Sequence, residues 1–253
     1  MTDLVPPRQD GEPAAPGDSS PEVLTLLRQG EITVEGRLLD ASNATLYCTI
    51  THQDLRAACV YKPVRGERPL WDFPDGTLAG REAAAYLMSQ ATGWNIVPPT
   101  VLRDGPFGPG MVQLWINADT SVDPRRLVRA GGTPLRRMAV FDAVINNADR
   151  KGVHLIPLPG GHVYGVDHGV CFAAEPKLRT VLWGWAGQAL TDEAIDMLSR
   201  LRAHLEGALA RSLADLLTTR EINATIARVE ALLSRRRHPE PSGEWPAVPW
   251  PPF

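Results

Sequence analysis

Five side chains have the types and the order that handling a nucleotide's phosphates would require: Lys62, Glu82, Asp149, His154 and Asp167. An ammonium can neutralise phosphate oxygens, and a carboxylate on a nearby helix can hold that ammonium in place. Acidic groups further along the chain can orient an acceptor hydroxyl and hold a divalent cation. Phosphoryl transfer is mostly such positioning and charge neutralisation. Lys62 ends a β-rich run in YKP, Glu82 follows within LAGREAAAYLMSQ, Asp149 lies in NNADR with His154 five residues on, and Asp167 lies in YGVDHG. A single aspartate of this kind is more often a turn residue. Taken together, in this order, the residues point to a site.

The stretch Phe141 to Phe172 carries the second half of that set as two polar islands, Asn146 to His154 and Asp167 to Gly169, in otherwise apolar sequence. Polar groups held between apolar segments must be satisfied or used. A hairpin with its turn at Pro157 to Gly161 is expected to separate the islands. Upstream, the sequence predicts a short helix over Pro21 to Gly30, then a meander of strands over Ile32 to Leu39, Thr45 to His52 and Arg56 to Pro63. The first turn, Asp40 to Ala44, is small and polar, so Ser42 and Asn43 could bring backbone amides over phosphates; an ordinary hairpin turn would look the same. A helix over Leu78 to Gln90 is expected next, then strands over Ile96 to Leu102 and Gly110 to Ile116. Helices follow over Asp123 to Ala130, Pro134 to Asn146, Thr191 to Leu217 and Thr219 to Arg236.

Strands with one helix, followed by a mainly helical region with a single hairpin, imply an α+β fold of two lobes sharing a cleft. The expected divisions are a disordered Pro/Gly/Ser-rich tail over 1–20, a sheet lobe over 21–118, a helical lobe over 119–238 and a Pro/Trp-rich tail over 239–253. The last segment is either disordered or straps across a surface by its aromatics.

Composition narrows the partners. A net charge of -3 argues against a nucleic-acid surface, which normally shows a basic excess. Three cysteines without CxxC spacing indicate neither a disulfide framework nor a zinc site. The polar N-terminus is no signal peptide, and no run approaches a membrane span, so a cytoplasmic protein is expected. Only Lys62, Lys151 and Lys177 among the 26 basic residues are lysine, the bias of a GC-rich genome. Where lysine persists, a compact ammonium can be what is needed.

Asn147, Asp149 and Arg150, followed by Val166, Asp167, His168 and Gly169, resemble the N-x-D-R and I/V-D-x-G motifs of the phosphatidylinositol 3/4-kinase superfamily. The likeness is strongest to its bacterial and type II phosphatidylinositol 4-kinase-like members. Glu82 to Leu87 and Val97 to Thr100 are similar to that superfamily's E-x-x-A-Y-L and V-P-x-T segments, and the likeness runs from about Gly30 to Phe172, suggesting an actinobacterial branch. The resemblance implies a two-lobe kinase-like fold with ATP and Mg2+ or Mn2+ in the cleft. Lys62 would bind phosphate with Glu82 as its partner, and Gln113, Leu114, Trp115 and Ile116 would form the linker at the adenine. Asp149 would be catalytic with Arg150 beside it, and Asp167 and His154 would hold metal. Lys151 either touches the transferred phosphate or is a solvated surface lysine. His154 stands where the family has asparagine; imidazole suits manganese better than magnesium. The hydroxyl acceptor, whether protein, phosphoinositide or small molecule, is left open. So are two other readings: a nucleotide-binding pseudokinase serving as a scaffold, and AMP transfer on the same fold.

Overall fold

Ser20 caps the first helix, its hydroxyl accepting from the Val23 amide, and Pro21 starts it; α1 (Pro21–Gln29) then presents Val23, Leu26 and Leu27 to the sheet. The computed structural model describes residues 20–38 and 43–253. Strands β1 (Glu31–Arg37), β2 (Leu46–His52) and β3 (Leu55–Pro63) form the expected meander. With β4 (Thr100–Gly105) and β5 (Gly108–Leu114) they make an antiparallel sheet in the order β1-β2-β3-β5-β4. Ile32, Leu46, Cys48, Ile50, Cys59, Tyr61, Val101 and Val112 meet α1 on one face. Alternation then sends Lys62, the neighbour of buried Tyr61, to the opposite face.

Between this sheet and the rest of the molecule lies α2 (Leu78–Thr92), buried on nearly every side, as an interior helix rich in alanine should be. Its first amides, Leu78 and Ala79, donate to the Glu67 carboxylate at 3.1 and 2.8 Å. Gly93 ends it at φ 71°, a conformation that favours glycine. The helical lobe follows: α3 (Pro124–Ala130), α4 (Thr133–Ile145), the hairpin β6 (Leu155–Pro157) and β7 (Val163–Gly165), then α5 (Asp192–His204), α6 (Ala208–Ala214) and α7 (Thr219–Arg235). One apolar core joins α2, α4, α5, α6 and α7.

Three boundaries differ from expectation. β4 begins at Thr100, not Ile96, because Pro98 and Pro99 cannot donate to a ladder. The single helix expected over Thr191 to Leu217 is two, broken where Gly207 takes φ -125°, ψ -129°. β5 ends at Leu114, so Trp115 and Ile116 leave the strand. The expected tail over 1–20 falls almost wholly outside the described residues, as does Ser42. The segment 239–253 is the strap of the two expected alternatives: Trp245 stacks on Trp71, and Gly152 donates its amide to Pro252 O at 2.8 Å.

Candidate active site

At the end of β3 the Lys62 ammonium lies between two carboxylates, 2.6 Å from Glu82 Oε1 and 2.8 Å from Asp167 Oδ1. Glu82 comes from the sheet-facing helix α2, and its other oxygen accepts the His168 backbone amide at 2.9 Å. One buried carboxylate therefore ties the lysine to the turn that carries Asp167. Asp167 itself has φ 62°, an uncommon conformation for a residue with a side chain and one that clusters at functional sites. Its side chain is 47% exposed, the most open of the three. Burial opposes the charge on Lys62, but Asp167 and Glu82 outweigh it and hold the ammonium protonated well above its ordinary range. Lys62 in turn holds the Asp167 carboxyl well below its ordinary range, against the cost of burial.

Asp149 follows α4 in a turn whose amide donates to Asn147 Oδ1 at 2.9 Å, and its carboxylate meets Lys151 Nζ at 3.2 Å. Burial raises its pKa, with Lys151 opposing. His154 is buried, its pKa pushed down to about 4 by desolvation. Its Nδ1 accepts the Lys151 amide at 3.4 Å, which assigns the ring proton to Nε2, 3.4 Å from Asp167 Oδ2. The open carboxylate of Asp167 is an oxygen donor of the kind a divalent cation such as magnesium would take. His154 Nε2 faces Asp167 Oδ2, and to serve as a second ligand it would have to give up its proton. Among the described residues no cluster of three or more His, Cys, Asp or Glu side chains is placed to hold a metal.

Arg150 departs from the expectation that it acts in the cleft. It is fully buried, with Nε and Nη2 on Asp142 at 3.0 and 2.9 Å and Nη1 on Val166 O at 3.1 Å. Its Nη2 is also 2.6 Å from His168 Nε2. The guanidinium is used up in fixing the segment before Asp167, so Arg150 positions and does not touch substrate. Lys151 is half-buried, its ammonium 3.2 Å from Asp149 Oδ2.

The linker is also reassigned in part. Gln113 is still a strand residue, on the same face of the sheet as Lys62, and it is buried with its side-chain amide donating to Thr100 Oγ1 at 2.8 Å. The Leu114 and Trp115 amides are taken by Pro99 O and Ala58 O, and the Trp115 indole donates to Asn117 and meets Tyr47 edge-on. Ile116 and Leu114 do form an apolar patch with Ile156, Leu158 and Tyr164 of the hairpin. Asn43 Oδ1 accepts from the Arg68 amide at 2.9 Å, which anchors the loop.

No family model matches the sequence. The chain is 46% identical over 263 residues to Protein Rv2133c of Mycobacterium tuberculosis, an alignment covering 90% of this chain and 94% of the relative. The chain belongs to the family of that protein. Among solved structures, the proinflammatory kinase CtkA of Helicobacter pylori is similar with a TM-score of 0.51, over 83% of this chain and 94% of that one, at 12% identity. At that identity the likeness shows the fold, a two-lobe kinase-like architecture with an antiparallel sheet lobe and a mainly helical lobe.

Two features of the site were missed in the sequence. Asp142 sits on the buried face of α4, fully enclosed, and accepts from Arg150 and from the Asn147 amide at 3.0 Å. A charge within the apolar run FDAVI was the available signal, since a buried carboxylate demands a cation. The hairpin residues Ile156, Leu158 and Tyr164 carried only the alternation of a short strand, which does not say what the strand faces.

Proposed function

We propose that the chain is an ATP-dependent phosphotransferase that moves a γ-phosphoryl group to a hydroxyl acceptor in the cleft between a sheet lobe ending near residue 118 and the helical lobe that follows. The observation that carries this reading is Lys62 held between Glu82 and Asp167, which brings residues from β3, α2 and the turn after β7 to one point. In this reading Lys62 neutralises the phosphates, and Glu82 keeps the ammonium aimed. The adenine lies on the apolar patch of Leu114, Ile116, Ile156 and Leu158, where linker and hairpin meet. Asp149 orients the acceptor hydroxyl, and Lys151 stands where it can meet the incoming charge. Asp167 holds Mg2+ or Mn2+, which when bound supplies charge neutralisation between the phosphates.

Incubation with γ-labelled or α-labelled ATP, with Mg2+ or Mn2+, tests the reading. Label transferred from the γ position alone supports it; transfer of the α label, or of neither, rejects it. Asp149→Ala is expected to abolish transfer while nucleotide binding by calorimetry stays within about threefold, because that side chain meets the acceptor and not the nucleotide. His154 gives the pseudokinase reading its support, since the ring binds Asp167 through Nε2 in place of offering a ligand atom. His154→Asn presents an amide oxygen and is expected to raise turnover with Mg2+ relative to Mn2+; an unchanged metal ratio would count against a role for this residue at the cation.

A further inference from the structure

Residues 245–253 cross the helical lobe as an irregular, bending segment with proline at 246, 249, 251 and 252. Three of their carbonyls accept hydrogen bonds. Pro246 O takes Arg179 Nε at 3.1 Å, Ala247 O takes the Thr180 amide at 3.0 Å and Trp183 Nε1 at 2.8 Å, and Pro252 O takes the Gly152 amide at 2.8 Å. All four donors belong to two walls: the segment 179–183 and the turn that follows Asp149. An aromatic anchor closes each end. Trp245 stacks on Trp71 at 6.1 Å, with the Lys177 ammonium 5.5 and 5.2 Å from the two rings. Phe253 fills the space that Gly152 leaves open, where any Cβ would collide with its ring, and lies 5.6 Å beneath the Arg125 guanidinium.

A proline-rich segment has few N–H groups to offer, so a surface can read it only through its carbonyls and its rings. The channel is built in that complementary sense, with N–H donors along its length, aromatic or cationic partners at its ends and a glycine floor at one of them. Four prolines restrict the backbone of such a segment before it docks, which lowers the entropy lost on docking. Among the described residues, no ion pair involves the acidic side chains of 239–253. The hold is made through carbonyls and rings, groups that another proline-rich, aromatic-bearing segment also carries.

We propose that the channel between segment 179–183 and Gly152 is a docking groove for a proline-rich, aromatic-bearing segment of a partner protein. Residues 245–253 are its resident, displaceable occupant. The groove abuts the candidate site: Thr180 forms a parallel bridge with Arg150, and Arg179 exchanges backbone bonds with Arg150 and Asn147. A change of occupant is therefore felt one residue from Asp149. The inference stands on these contacts and does not depend on the reaction assigned above.

The test uses the full chain carrying Trp245→Ala and Phe253→Ala, and a fluorescent peptide of residues 243–253 as probe. The peptide is expected to bind this variant at micromolar concentration and the unaltered chain about tenfold more weakly, because the resident segment must first vacate the groove. A peptide with Trp245 and Phe253 replaced by alanine should not bind. Hydrogen exchange at the Thr180 and Gly152 amides should be about tenfold faster in the variant than in the unaltered chain. Absence of peptide binding to a variant with unaltered circular dichroism and melting would overturn the proposal, and so would equal binding of the alanine peptide. Should the double variant not fold, Phe253→Ala alone provides the comparison.

Discussion

Lys62 and Arg150 are both cations between carboxylates, yet burial gives them different work. Lys62 faces the cleft against the open carboxylate of Asp167, so its partners can yield to a phosphate. Arg150 and Asp142 are both fully enclosed, and removing one leaves the other charged and unpaired at a cost of about 3–5 kcal/mol. The two substitutions should therefore separate. Arg150→Ala is expected to lower stability and any activity together, by about that amount in chemical denaturation. Lys62→Met is expected to weaken nucleotide binding by about tenfold or more, the loss of one charge-assisted contact, with little loss of stability. Equal melting temperatures for Arg150→Ala and the unaltered chain would show that Arg150 is not the buried tie described here.

At the scale of elements, α2 decides whether the site is assembled. It is buried on nearly all sides and carries Glu82, so a shift of this helix moves the carboxylate that aims Lys62. Thr77 makes no side-chain cap; the Glu67 carboxylate reaches the first two amides from eleven and twelve residues upstream. Glu67→Ala is expected to cost about 1 kcal/mol, the typical loss of a helix cap, and to lower the melting temperature by about 2–4 °C. Because α2 belongs to both lobes' packing, nucleotide affinity should fall with it. Calorimetry of the variant beside Glu67→Gln, which keeps an acceptor oxygen, distinguishes the cap from general loop damage.

Across the whole molecule the lobes are joined by a second buried ion pair. Arg81 of α2 reaches Glu221 of α7 at 2.5 Å and Cys171 O at 2.7 Å, with its side chain only 2% exposed. Glu221 also completes the capping box with Thr218 that starts α7. Glu221→Ala removes both functions and strands a buried guanidinium, so a loss of about 3–5 kcal/mol in urea unfolding is expected. A loss below about 1 kcal/mol, the worth of an exposed pair, would mean that this pair is not a principal tie between the lobes.

Much of this was legible in the chain itself. Helix and strand types followed from period and punctuation, because local sterics and capping act over a few residues: Ser20 and Pro21 begin α1, Gly93 ends α2, and the meander alternates as strands must. The pairing of Lys62 with Glu82 followed from residue types on successive elements. Other features depended on what the chain meets in space. Arg150 looked like a neighbour of the chemistry and proved a buried tie, since sequence adjacency to Asp149 does not fix the direction of the side chain. Gln113 fell within β5 and not in the linker, with its side-chain amide bound to Thr100 across the sheet. His154 was chosen by its chemistry as a ligand, and only its neighbours, the Lys151 amide and Asp167, assigned its proton. The sequence by itself determined the elements and the order of the charged residues, because those depend on local propensity. Tertiary structure alone decided which charges are enclosed, which face the cleft and where residues 245–253 dock, because burial and partner geometry are set by segments far apart in the chain.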